Sequence, residues 1–324
     1  MSNMGHRQAW LLHGGLLAIA VIFPFVFSNS FAVNFGVLAL FYAFIGQSWN
    51  IAGGFAGQLS FGHVAFFGAG AYAAAIVQMR FGLSPWLGLP AAALAGAAVG
   101  GIIAVLSFRA GLKGSYFALI TLAFAEVLRI VSNSLEITGG GLGMLIPMKA
   151  GTANFQFSER IGFYFVILVL TAASVAIAVW LKQSRFGARL AAIRENEDAA
   201  RALGINVFAE KVKVLVLSGA MCGIGGCFFA QYFLYIDPSI VFGIDKSVEM
   251  LLVSMIGGAG TVYGPLIGAV LLAGLSEGTR SLTSVQGLSL VLYGALLVVI
   301  IAFLPNGLID LFKKRNPRLA KVAK

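Results

Sequence analysis

Residues 182–213, KQSRFGARLAAIRENEDAARALGINVFAEKVK, gather eleven of the chain's 34 charged residues (22 Lys and Arg, 12 Asp and Glu) between two apolar stretches. Seven of the eleven are basic, and a loop of that kind belongs on the cytoplasmic face of a membrane. Within it Glu195, Glu197 and Asp198 favour a helix N-terminus through the helix dipole, Asn196 is the expected cap, and Gly204 the expected stop. Arg201 stands four residues after Glu197 and is expected to pair with it on one helix face. Ala199, Ala200 and Leu203 are then left to enter a groove on a partner protein. The chemistry is docking, not bond making.

Elsewhere the residues that perform covalent chemistry are sparse. There is no G-x-x-x-x-G-K-[ST] run, so the chain has no phosphate-cradling loop and any ATP must be bound by another protein. No nucleophile constellation, metal-ligand cluster or dinucleotide fingerprint is present, and neither enzymatic activity nor a bound cofactor or metal is expected. Cys222 and Cys227 lie five apart in one apolar segment and read as packing residues. His63, alone, reads as a packed residue more than a ligand. Glu126/Arg129 and Glu277/Arg280 are spaced i, i+3 and are expected to pair locally. Charge inside a membrane marks function by default, but local pairing and snorkelling favour a structural role for both pairs.

The elements that position these residues follow from composition. Hydrophobic residues make up 59% of the chain and charged residues 10%, against about 25% charged in soluble domains. This excess needs lipid, so the expected fold is all-α: one polytopic transmembrane domain over residues 1–324, with about 8–10 spans. The apolar stretches are 10–28, 32–51, 62–79, 86–108, 115–133, 161–181, 212–235, 246–262, 265–281 and 285–304. With both termini inside, sixteen Lys and Arg face the cytoplasm, including six in the 305–324 tail, and five face outward. The reverse orientation would invert the usual bias. The first stretch, preceded by Arg7 and followed by SNSFA, also has the pattern of a secretory signal; its spanning length and the apolar segment directly after it favour a retained span. The net charge of +10 sits in loops beside spans, which suits anionic lipid and argues against nucleic acid.

Two glycine-rich passages echo one another, GGFAGQLSFG at 53–62 and GGAGTVYG at 257–264, each leading into a small-residue helix. The echo predicts two related halves with glycine-broken segments. Irregular backbone at membrane depth survives only where protein or a water-filled cavity covers it, and transporters place their pathways beside such interruptions. Gly57, Gln58, Ser60, His63, Gly257, Gly258 and Gly260 are therefore candidate pathway-lining residues. Tight helix packing is the alternative use of the same glycines. An ion-coupled secondary transporter would also show broken helices, but would not need a docking loop.

The passages NIAGGFAGQLSFGHVAFFGAGAYAAA (50–75), GSYFALITLAFAEVLRI (114–130), TGGGLGM (138–144), RENEDAARALGINV (194–207) and MIGGAGTVYGPLIGAVLL (255–272) together resemble the LivM-type permease subunit of branched-chain amino-acid ABC importers. The resemblance implies an importer subunit in the bacterial inner membrane. Its partners would be a second permease of the LivH type, two cytoplasmic ATPases that hold ATP and Mg, and a periplasmic substrate-binding protein. It places the coupling motif of an acidic residue, two alanines, three variable positions and glycine on Asp198, Ala199, Ala200 and Gly204, although the I-x-L-P ending of other importers is missing. Permeases for urea or short amides resemble the same family and are the alternative.

Overall fold

A computed structural model of the chain describes residues 14–15, 17–27, 29–282, 291–292, 294–295 and 307–310. Apolar helices dominate it. Among the described residues five are long and apolar enough to cross a membrane: Ser30–Phe55, Pro85–Arg109, Gly114–Ser134, Arg160–Gln183 and Val207–Phe233. The shorter Leu17–Val26, His63–Met79 and Gly264–Gly278 are also apolar. We label the helices α1 (Leu17–Val26), α2 (Ser30–Asn50), α3 (His63–Met79), α4 (Gly88–Arg109), α5 (Gly114–Ser134), α6 (Arg160–Gln183), α7 (Arg185–Glu195), α8 (Glu197–Ala202), α9 (Val207–Phe233), α10 (Pro238–Val241), α11 (Ile244–Gly257) and α12 (Gly264–Leu282). The expected all-α membrane bundle is the observed one. The stretch expected at 285–304 falls almost wholly outside the described residues.

One expected span is shorter than the sequence implied. The apolar run 246–262 forms α11, which stops at Gly257 after 14 residues, a length of about 21 Å against a hydrocarbon core of about 30 Å. Gly258 (φ 122°) and Gly260 (φ 76°) then turn the chain in a conformation that L side chains avoid. Asp245, Lys246 and Glu249 occupy the first half of α11, where Lys246 Nζ pairs with Glu249 Oε2 at 2.8 Å.

Small residues set the closest helix contact. Lipid is as apolar as leucine, so helices in a bilayer associate through close packing and polar bonds. Ala92, Gly96 and Gly100 of α4 face Leu215, Gly219 and Gly223 of α9, each series at four-residue spacing. A Cβ at Gly219 would lie 2.5 Å from the Gly96 carbonyl oxygen, and one at Gly100 would lie 2.8 Å from that of Leu215. α3 packs on the same helix, with Gly70 against Gly223. Aromatic rings fill the interior towards α2 and α6: Phe41 stacks on Phe228 at 5.9 Å, and Phe163 meets Tyr232 edge-on at 5.2 Å.

The segment between α5 and α6 caps one end of the bundle. A two-residue strand β1 (Met144–Leu145) pairs antiparallel with β2 (Tyr235–Ile236), in the register Met144 to Ile236. Trp86 stacks on Phe155 at 4.3 Å and donates its indole N–H to the Thr152 carbonyl at 2.7 Å. The opposite end carries α7 and α8.

The glycine contact predicts a graded response. Gly219→Ala should destabilise the protein by about 1–3 kcal/mol through overpacking, whereas Gly101→Ala, whose Cβ would meet only Val216 Cγ2 at 3.3 Å, should be neutral or stabilising through helix propensity. Thermal unfolding in detergent checks this; equal melting temperatures for the two variants would refute the α4–α9 packing.

Candidate coupling segment and glycine junction

α8 is built by its caps. The Asn196 side chain accepts hydrogen bonds from the amides of Asp198 (2.9 Å) and Ala199 (3.0 Å), as expected of an N-cap. At the other end Gly204 has φ 81°, its amide donates to Arg201 O (3.0 Å), and the Ile205 amide donates to Ala200 O (3.1 Å). That is a left-handed glycine C-cap, and it satisfies carbonyls that a helix end leaves open. Ser184 starts α7 in the same way, accepting from the Gly187 amide at 3.0 Å.

The side chains of α8 depart from expectation at two places. Glu197 does not pair with Arg201. It turns inward to Lys211 of α9 and to Lys113 Nζ at 3.3 Å, while Arg201 pairs with Asp198 at 3.0 Å. Lys211 is only 3% exposed and also lies over the Phe108 ring at the end of α4, so a buried ammonium competes for Glu197 more strongly than a solvated guanidinium does. Ala200 differs from the expected docking set because it is 1% exposed and packs against Ile193 and Val207. Ala199 and Leu203 remain on the outer surface, Leu203 80% exposed. α7 has its own anchor, Arg189 to the buried Glu210 of α9 at 3.0 Å.

The two glycine passages, more than 200 positions apart, meet at this same end. α2 runs into a π-helical turn, Ile51–Phe55, a wider turn that appears mostly as a local bulge. Asn50, fully buried at the end of α2, accepts from the Gly260 amide (2.7 Å) and donates to the Thr261 carbonyl (2.9 Å). Gly54 lies against Asn50 and Gly260, with no space for a Cβ. Arg194, the penultimate residue of α7, donates from Nη1 to the Gly54 carbonyl at 2.9 Å. The structure thus brings Gly57 and Gly260 together around the Arg194 side chain.

The other candidates lie deeper. Gln58 donates to Ala56 O (2.9 Å), and Ser60 accepts from the Gly62 amide (3.2 Å). His63 is fully buried at the start of α3, its Nε2 2.8 Å from Ser218 Oγ. Ser218 donates to Ser48 O at 2.6 Å, so its oxygen accepts from His63 and the imidazole carries its proton on Nε2. Gly257 is buried, and Gly258 abuts Gly307. Glu126 and Arg129 pair as expected, bidentate at 2.6 and 2.9 Å; the Arg280 side chain lies outside the described residues. Among the described residues no group of three His, Cys, Asp or Glu could hold a metal ion.

Asn50, Thr261 and Arg194 were missed as site residues. Asn50 carried a signal, a lone amide ending an apolar span directly before a glycine passage. Arg194 and Thr261 carried little, because Arg194 bonds a distant backbone carbonyl and Thr261 takes part through its own.

Comparison with known families places this geometry. Residues 31–301 match the model of the branched-chain amino acid transport system, permease component. The chain belongs to this family. It is 30% identical over 320 residues to the high-affinity branched-chain amino acid transport system permease protein LivM of Salmonella typhimurium, covering 91% of this chain and 74% of that protein. LivM of Escherichia coli K12 matches to the same extent. LivH of Salmonella typhimurium is 24% identical over 297 residues, covering 87% of this chain and 93% of its own. No solved structure matches. The permease is thus a LivM-type, multi-pass membrane protein.

The buried ion pair makes Glu197 and Asp198 distinguishable. Glu197→Gln leaves Lys211 buried without its counter-charge and should destabilise the permease by about 3 kcal/mol, whereas Asp198→Asn removes an exposed pair and should change stability by less than about 1 kcal/mol. Adding Lys211→Met to Glu197→Gln should restore most of the loss. Thermal unfolding of the four proteins tests the assignment, and equal losses in the two single variants would contradict it.

Proposed function

We propose that this chain is the LivM-type permease subunit of an ATP-driven importer in the bacterial inner membrane, carrying branched-chain or related small amino acids. It forms half of the translocation pathway beside a LivH-type permease. Two cytoplasmic ATPases bind ATP and Mg beneath it, and a periplasmic binding protein delivers the solute. A cytoplasmic position for both termini is supported by the bias of Lys and Arg towards the 182–213 loop and the 305–324 tail.

The observation that carries this reading is α8 itself. It is a short helix capped at both ends, pinned to α9 by a buried ion pair, and presenting Ala199 and Leu203 outward. An exposed leucine on a rigid, acid-flanked helix suits an apolar groove with basic surroundings, and the ATPase supplies that groove. Closure of the paired ATPases on ATP would move α8, and the permease pair would shift between inward-open and outward-open states in proportion to the difference in contacts that each state makes. The glycine passages are the elements that yield.

Co-expression with the partner permease and the ATPases, followed by reconstitution with the binding protein, tests this reading. Leucine and valine uptake should require ATP. Leu203→Asp should lower that uptake at least tenfold and release the ATPases from the purified complex, while the two permeases stay together. Urea uptake in place of leucine would change the solute and keep the mechanism. ATP-independent uptake by the permease alone would overturn the proposal.

A further inference from the structure

We infer that Arg194 is the positioning residue that carries movement of α8 to the glycine junction, coupling ATPase closure to the broken helices. The inference rests on the docking role proposed for α8.

Only Glu195 and Asn196 separate Arg194 from α8, and the Asn196 side chain is fixed as the α8 cap. A displacement of α8 is therefore delivered to the last turn of α7. From that turn the Arg194 side chain reaches both glycine passages. Its stem lies on Gly57, where a Cβ would stand 2.7 Å from Cγ; its Nη1 bonds the Gly54 carbonyl; and a Cβ at Gly260 would stand 2.6 Å from that same Nη1. Glycine at 57 and 260 leaves the space that the side chain fills. The contacted carbonyl belongs to the π turn at the end of α2, where helix carbonyls lack partners and the dipole favours a cation.

The other contacts of Arg194 are weak. Its ion pair is with the neighbouring Glu195, at 3.5 Å between two solvated side chains. α7 is held to α9 by Arg189 through the buried Glu210, and α8 by Glu197 through the buried Lys211. Arg194 by contrast holds a main-chain carbonyl of the π turn, a local bulge of the kind frequent at functional sites. Gly260 is in turn clamped by Asn50. A pull on Arg194 therefore acts on the π turn through the Gly54 carbonyl and on the α11–α12 turn through its close approach to Gly260, which Asn50 holds.

The test uses the full importer in liposomes, with Arg194→Met and Arg194→Lys beside the unaltered complex, and measures leucine uptake and ATP hydrolysis on the same vesicles. The methionine variant keeps the stem and removes the directional donors; the lysine variant keeps the charge without the planar fork. Expected is an at least tenfold fall in solute moved per ATP hydrolysed for methionine and a smaller fall for lysine, with ATPase content and melting temperature unchanged. An unchanged transport ratio in both variants would overturn the inference. If the methionine variant fails to assemble, the lysine variant is judged by the same ratio. Failure of the α8 docking role gives a separate result: the Leu203→Asp complex would keep its ATPases and its uptake.

Discussion

A buried chain that leaves helical geometry must find its hydrogen bonds inside the protein, and the end of α2 is where this constraint governs the permease. An unmet amide or carbonyl in an apolar interior costs as much as a lost hydrogen bond, or more. Asn50 meets two such groups of the 258–263 turn, Arg194 meets the Gly54 carbonyl, and the Trp49 indole N–H donates to Ser60 O at 2.8 Å. Without these side chains neither glycine passage could hold its shape. With them, two irregular segments become one junction, and α7 is fastened to it.

The remainder of the bundle is built to stay together. α3, α4 and α9 approach until backbone meets backbone, which glycine alone permits. Polar side chains then lock helix to helix, as in Ser254 Oγ to Gly46 O at 2.7 Å and the His63–Ser218–Ser48 series. Each bond is worth only about 1–2 kcal/mol in a membrane. Their value lies in fixing register, because the partners are single carbonyls on neighbouring helices. Close glycine packing on one side and a π turn on the other distinguish the two parts of the described bundle.

Charge is used differently at that corner. Exposed pairs such as Arg201–Asp198 contribute little beyond solubility. The partly buried Glu197 and the buried Glu210 take cations from other elements, so α7 and α8 are tied to the base of α9. This arrangement explains why Glu197 abandons its helix neighbour. A solvated arginine can be released to water, whereas a buried lysine cannot.

The helical membrane class, most of the apolar helices and the caps of α8 were legible in the residues, because lipid demands long apolar helices and because caps act over three or four positions. Asn196 and Gly204 did what local chemistry prescribes, and Glu126 found Arg129 one turn away. Interactions across the fold were not legible. The truncation of α11, the inward turn of Glu197, the burial of Ala200 and the Arg194 contact each depend on which distant atom lies nearest. The residues alone were enough to assign a LivM-type helical membrane permease. That its two glycine passages meet and that one arginine reaches both emerges only from the packed fold, since backbone carbonyls and amides carry no residue identity by which a chain could announce the contact.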